Sequence, residues 1–130
     1  MEPDQRDPFY SLAAEEVLLD SVEQTGPMLF LWQSPGAVVI GKNQNPWREC
    51  RLDRMERDGV VLARRFSGGG AVYHDAGNLN YAVLVPRLQY DAAKVYRFVL
   101  RAWSETGIEA QRLGKNSLGV QGRKISGNAF

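Results

Sequence analysis

Two arginines, three glycines and a histidine fall within residues 64–75, RRFSGGGAVYHD. A glycine run lets a backbone approach a ligand closely and aim several N–H groups at it, and such concave nests bind anions. Arg65 beside the run offers a planar, always-charged fork to a phosphate or carboxylate. The order strand, Arg-Arg, Gly-Gly-Gly, strand therefore suits a loop for nucleotide phosphates. It is not a Walker loop, because the Gly-Lys-Ser/Thr ending is missing. It is not a dinucleotide fingerprint either, because a strand rather than a helix follows. On physical grounds alone, the same glycines serve equally well as a bulge or a flexible hairpin tip.

His74 is the only histidine of the chain. With Asp75 it stands at the far end of the following strand, where a part in the turn is simpler than direct chemistry. A second candidate is GRKISGNAF, residues 122–130. Lys124 lies there on a strand beside Ile125, Ser126 and Gly127. A lysine among small residues can serve as a fixed positive charge for a phosphate or acyl oxygen; a surface lysine on an edge strand is the plainer alternative. Cys50 is the only cysteine, and one cysteine with one histidine makes a poor metal site. No metal ligand is assigned.

The elements that must position these residues follow from local patterning. Asp7-Pro8 reads as an N-cap with proline at the first helical position. It opens a helix to about Glu23 with Leu12, Leu18, Leu19 and Val22 on its apolar face. MLFLWQ and AVVIG read as strands joined by SPG into a hairpin. NPWRECRLDRMERDG reads as one helix with punctuation at both ends, its charges a solvated face. VVLARR is a strand delivering Arg64 and Arg65 to its end. AVYH and LNYAVLV are further strands joined by the DAGN turn. Asp91 caps a helix in which Val95, Phe98, Val99, Ala102 and Trp103 form one stripe, and Gly107 closes it. Short strands in IEAQRL, LGVQ and RKISGNAF follow, with turns at 114–116 and 121–122. The fold class is α+β, with a mixed, mostly antiparallel sheet and packed helices.

A chain of 130 residues that is 44% hydrophobic can build one domain with a real core. Sixteen basic against fifteen acidic residues leave a net charge of +1. That near balance argues against a general nucleic-acid or membrane-surface binder. The N-terminus has no signal-peptide pattern, and the apolar runs are strand-sized and too short to span a bilayer. A reducing, cytoplasmic location fits the single cysteine.

Three segments together resemble the signatures of the lipoate–protein ligase A family, in the biotin and lipoate protein ligase superfamily. They are IGKNQNPWREC (40–50), RRFSGGGAVYHDAGNLN (64–80) and GRKISGNAF (122–130), in the family's order and spacing. DPFYSLAAEEVLL resembles its first helix. The resemblance implies a fold like that of biotin protein ligases and class II aminoacyl-tRNA synthetases. Residues 1–130 would then be the N-terminal portion of the catalytic domain, completed by further polypeptide or a second chain. It implies a reaction in which lipoate and ATP form lipoyl-AMP with the help of Mg2+. The lipoyl group then passes to a lysine of a carrier domain, in a 2-oxoacid dehydrogenase complex or the glycine cleavage H protein.

Carried onto this sequence, the resemblance implies that Arg65 contacts the nucleotide phosphate. Gly70, Ala71, Val72 and Tyr73 would line the adenylate and acyl pocket, and Gly68 and Gly69 would permit close approach. Lys124 would touch both the lipoate carboxylate and the α-phosphate, as the catalytic lysine. Ser67, His74, Asp75 and Asn78 would support the loop. The chain departs from the family at Asn116-Ser117-Leu118, where many members have Asn-Asp-Leu, which bears on nucleotide handling. Two alternatives stay open: an octanoyl or lipoyl transferase of the same superfamily acting without ATP, for which Cys50 is the one candidate nucleophile, and an acyl-binding fragment without turnover.

Overall fold

The computed structural model describes residues 7–130; the first six residues of the segment inspected for a leader lie outside these. The described chain divides into two units, one ending at Leu88 and one beginning at Gln89.

The first unit opens with helix α1, Pro8–Thr25. Asp7 accepts a hydrogen bond from the Phe9 N–H at 2.8 Å, which satisfies one orphan donor of the first turn. The helix buries Pro8, Ser11, Leu12 and Val22, whereas Leu19 is exposed. Six strands and helices follow: β1 (Met28–Trp32), β2 (Ala37–Ile40), α2 (Pro46–Glu49), α3 (Leu52–Arg57), β3 (Val61–Arg64) and β4 (Val72–His74). Strand β5 (Asn80–Leu84) completes the unit's two sheets.

The pairing differs from two simple hairpins. β1 pairs antiparallel with β5. β2 is the centre of a second sheet, parallel to β3 and antiparallel to β4. The SPG turn exists, but its backbone does not close β1 onto β2. The Gly36 N–H donates to the His74 carbonyl, and the Gly36 carbonyl accepts from Val61, so the turn is tied to β4 and β3. The DAGN turn likewise leads from one sheet to the other rather than joining neighbours. A parallel β2–β3 pair requires a crossover, and α2 and α3 supply it. That stretch is two short helices, not one: Cys50 between them is extended, with φ −126° and ψ 148°. Asn45 caps α2 by accepting from the Trp47 N–H at 3.0 Å.

Leu12, Trp32, Val39 and Ala63 form the core of this unit, with Phe30 packed against them. β1 alternates as strands do, turning Phe30 and Trp32 inward and leaving Leu29 and Leu31 exposed.

The second unit contains helix α4 (Ala92–Glu105) and the antiparallel meander β6 (Gln111–Leu113), β7 (Ser117–Val120) and β8 (Arg123–Gly127). Asp91 caps α4 through the N–H groups of Ala93 and Lys94. The buried residues of α4 are Tyr96 and Val99, and Phe98 is half exposed, so the inward stripe is rotated from the expected one. Tyr96 explains the rotation. Its hydroxyl donates to the Lys115 carbonyl at 3.2 Å, Arg112 lies over its ring at 4.2 Å, and Phe130 meets it edge-on. The β7–β8 turn places Gln121 and Gly122 at positive φ, as a two-residue hairpin loop demands.

Candidate active site

β3 ends at Arg64, and the two arginines then hold two different loops. Arg65 donates through Nε and Nη2 to the Gly68 carbonyl, at 3.0 and 2.6 Å. Nη2 also reaches the Gly70 carbonyl at 2.8 Å, and Nη1 the Val39 carbonyl at 3.1 Å. One guanidinium thus fastens the glycine loop to the end of β2. These charge-assisted bonds are short and directional. Each peptide is trans and planar, so its N–H points opposite to its C=O. With the carbonyls of Gly68 and Gly70 turned toward Arg65, the N–H groups of Gly69 and Ala71 point away from it. Gly69 sits at φ +89°, which a glycine adopts without strain.

Arg64 makes three bonds of the same kind from Nη1, to the carbonyls of Gly41, Lys42 and Gln44 at 2.9, 2.9 and 2.8 Å. The Lys42 N–H in turn donates to the Ser67 carbonyl at 2.9 Å. The residues 41–44 and 67–70 are therefore laced together.

Behind the loop lies a buried cluster. The Trp32 indole N–H donates to Glu15 Oε2 at 3.3 Å. His74 is 4% exposed and meets the Trp32 ring edge-on, with centroids 5.4 Å apart. Burial pushes the Glu15 carboxyl above its usual range, opposed by the Trp32 hydrogen bond and the charge of Arg65. Burial pulls His74 below its usual range, and the positive charge of Arg65 adds to that. Burial also lowers Arg65, with Glu15 opposing, and the guanidinium stays charged. Both effects on His74 favour its neutral form. Asp75 Oδ1 accepts from the Gly77 N–H at 2.8 Å, the Asn78 N–H donates to the Asp75 carbonyl, and Asn78 Nδ2 donates to Asn80 Oδ1 at 3.1 Å. His74-Asp75-x-Gly77-Asn78 is thus one stapled turn.

Side chains of consecutive strand residues point to opposite faces. Val72 pairs with Val39 and shares its face, whereas Tyr73 pairs with Val38 on the other. Tyr73 and Val38 line an open groove of about 240 Å3 together with Cys50, Arg54 and Met55. Val72 and Tyr73 therefore do not present their side chains to one pocket. A second groove of about 490 Å3 runs along Tyr10, Ala14, Phe30, Trp32 and Leu79 on the core side of the unit.

Arg65 and its loop belong to the first unit, and Lys124 to the second. Lys124 is exposed on β8, opposite Gly119 of β7. The β7–β8 register shifts at Leu118/Gly119, where Ile125 is the extra residue. Because of the bulge, Lys124 and Gly127 fall on one face although they are three residues apart. A Cβ on Gly127 would lie 3.1 Å from Lys124 Nζ. Gly119 is required on the opposite strand, because a Cβ there would meet the Arg123 carbonyl at 2.5 Å and the Leu113 side chain. Ser117 pairs with Gly127 at the start of β7, so the departure Asn116-Ser117-Leu118 sits beside the lysine strand.

The sequence reading gave no role to residues 41 and 64, Glu15 or Trp32. Arg64 and Gly41 carried a signal, since both lie in the family-like segments. Glu15 and Trp32 carried none, because their pairing spans seventeen residues and depends on the fold. The described residues hold no group of three or more His, Cys, Asp or Glu side chains able to hold a metal ion. No helix among them is long and apolar enough to cross a membrane.

A mixed α+β fold with mostly antiparallel strands is the architecture of the biotin ligase-like catalytic domains. The chain belongs to the lipoyl protein ligase A/B catalytic domain family, whose model matches residues 7–130. It is 46% identical over 123 residues to a lipoate-protein ligase A of Psychrobacter cryohalolentis, covering 95% of this chain and 36% of that protein. Among solved structures, it resembles P. falciparum LipL1 in complex with lipoate, with a TM-score of 0.86 and 34% identity, over 94% of this chain and 40% of the other. It also resembles a bi-partite lipoate protein ligase described with its E2 lipoyl domain from Thermoplasma acidophilum (TM-score 0.81, 33% identity, 92% and 49% covered). A lipoate-protein ligase A bound with ATP matches at a TM-score of 0.79 and 31% identity, over 91% of this chain and 54% of that one. The chain thus spans about a third of the length of the curated relative and about half of the solved ones.

Proposed function

We propose that this chain is the N-terminal part of the catalytic domain of an ATP-dependent lipoate–protein ligase. The observation that carries the reading is the glycine loop whose carbonyls are fastened to Arg65, leaving the Gly69 and Ala71 N–H groups turned away from it. Adenylation forms a bond between a lipoate carboxylate oxygen and the α-phosphorus of ATP, and pyrophosphate leaves. In the second step the amine of a carrier lysine attacks the acyl carbon, and AMP leaves.

The first step brings two anions together, so fixed positive groups lower its barrier. Lys124 supplies an ammonium for the carboxylate and α-phosphate oxygens. The N–H groups of Gly69 and Ala71 bind phosphate oxygens as a nest does. Arg65 acts chiefly as the anchor of that nest; its guanidinium has one Nη1 hydrogen left for a phosphate. Val72 contributes its side chain on the Trp32 face, while Gly70, Ala71 and Tyr73 contribute backbone. No side-chain nucleophile is required. Mg2+ assists such reactions when bound largely by phosphates and one or two carboxylates; the described residues offer no cage for it.

The substrates are ATP and lipoate. The partners are lipoyl carrier domains of 2-oxoacid dehydrogenase complexes or the glycine cleavage H protein, in the cytoplasm. The archaeal relative's bi-partite build supports completion of the domain by further polypeptide or a second chain. The ATP-independent transferase reading is disfavoured by Cys50, whose thiol is pushed up by burial and by Glu49, away from the thiolate a nucleophile needs.

The test is lipoate-dependent exchange of pyrophosphate into ATP by the active ligase. Exchange supports the reading. Acyl transfer from an acyl-carrier donor without ATP, lost in Cys50→Ala, overturns it in favour of the transferase.

A further inference from the structure

Arg64 and Gly41 lie outside the residues to which a role in catalysis or binding has been given so far. Gly41 is buried, directly after β2. A Cβ placed on it would collide with the Gly69 carbonyl oxygen, and would lie 3.1 Å from both the carbonyl carbon and oxygen of Gly68. These are backbone atoms of the glycine loop, and the Gly68 oxygen is also the one that Arg65 holds. They cannot swing aside as the end of a flexible side chain can. Gly41 is therefore the floor on which the 68–69 peptides rest.

The floor is itself held. The three Arg64 bonds converge on the carbonyls of residues 41, 42 and 44, all from one nitrogen. Within the turn, the Gly41 N–H donates to Gln44 Oε1 at 2.9 Å and the Gln44 N–H to the Gly41 carbonyl at 3.1 Å. Across to the glycine loop, the Lys42 N–H reaches the Ser67 carbonyl at 2.9 Å. A guanidinium, planar and with fixed donors, can serve several carbonyls at once. Because all three bonds use one nitrogen, what matters is where that nitrogen is held. A lysine ammonium at the end of a flexible stem is held there less firmly than a nitrogen of a planar guanidinium. The two adjacent arginines thus divide the labour: Arg65 draws the glycine carbonyls inward, and Arg64 fixes the surface they rest against.

We propose that Gly41 and Arg64 are positioning residues for nucleotide binding: together they set the height and tilt of the 68–70 peptides whose N–H groups receive the phosphates. The proposal rests on the reading of that loop as the phosphate site.

The experiment compares Arg64→Lys and Gly41→Ala with the unchanged active ligase, measuring the KM for ATP, the KM for the carrier domain, and the melting temperature. The unchanged enzyme is the control for the functional reading itself: if it shows no dependence on ATP, that reading fails first. Given ATP dependence, the expected result for Arg64→Lys is a rise in the ATP KM on the order of tenfold. The carrier KM should stay within about twofold and the melting temperature within a few degrees of the unchanged protein. Gly41→Ala should raise the ATP KM further. An unchanged ATP KM in Arg64→Lys overturns the proposal, whatever happens to stability. If Gly41→Ala fails to fold, Arg64→Lys alone decides, because its side chain lies largely at the surface.

Discussion

The two candidate functional elements, one in each unit, are built on opposite principles. The glycine loop of the first unit is held by long-range bonds: Arg65 reaches Val39, twenty-six residues earlier, and Arg64 reaches Gly41 across twenty-three. Lys124 of the second unit is mounted on a meander whose strands follow one another, with a bulge as the only irregularity. The first element depends on a fold already formed. The second carries its geometry in its own neighbourhood. Loss of Arg65 should therefore disturb stability and binding together, whereas substitutions around the lysine should separate the two.

Lys124→Ala is the sharpest break in that comparison. It should lower lipoate-dependent pyrophosphate exchange by about two to three orders of magnitude, as removal of a transition-state donor does. Because the side chain is exposed, its melting temperature should stay unchanged. A variant with normal exchange would remove Lys124 from the site. Arg65→Ala should fail on both counts. It strips the partner from the carbonyls of Gly68, Gly70 and Val39, at about 1–3 kcal/mol for each group left buried and unpaired. Chemical denaturation and the ATP KM should worsen together; loss of affinity with full stability would show that the loop keeps its shape without the guanidinium.

Gly127→Ala asks a finer question. Its Cβ would press on the Lys124 ammonium, and a flexible side-chain end yields cheaply. The fold should hold, as judged by circular dichroism, while exchange falls by a factor on the order of ten through displacement of the charge. Equal exchange would mean that Lys124 tolerates a shifted position.

The smallest effect concerns pH. His74 is held below its ordinary value of 6.5, first by burial and then by Arg65. The folded state then binds fewer protons than the unfolded one, so stability is present above 6.5 and is lost as pH falls below it. Glu15 runs the other way. Raised above its ordinary 4.5, first by burial, it makes the folded state the better proton binder, so stability falls as pH rises from 4.5 toward its raised value. Thermal melts between pH 7 and 5.5 should show a decline that is reduced in His74→Asn. A decline of equal size in that variant would place the sensitivity elsewhere.

Legibility followed the same division. Caps at Asp7, Asn45 and Asp91, and the meander with its Gln121-Gly122 turn, are statements about a few adjacent residues, and the sequence carries them openly. The β1–β5 and β2–β4 pairings are not local. SPG and DAGN are good turn sequences, and nothing in them says that their flanking strands belong to different sheets. The break at Cys50 also leaves no mark in the chain. Of the site, the glycines, Arg65, His74 and Lys124 stood out by type and spacing. The direction of the Arg65 donors did not. An arginine beside a glycine run invites the thought of a phosphate, yet most of its hydrogens go to carbonyls.

That arrangement has a consequence for the affinity the loop can reach. A loop of three glycines has the largest backbone freedom to lose on ordering. Here, seven arginine bonds hold the loop and the turn that follows β2. On the proposed reading, a nucleotide would meet a loop already tied to the sheet, so little of its binding free energy would go into ordering the chain and more would remain for the phosphate contacts.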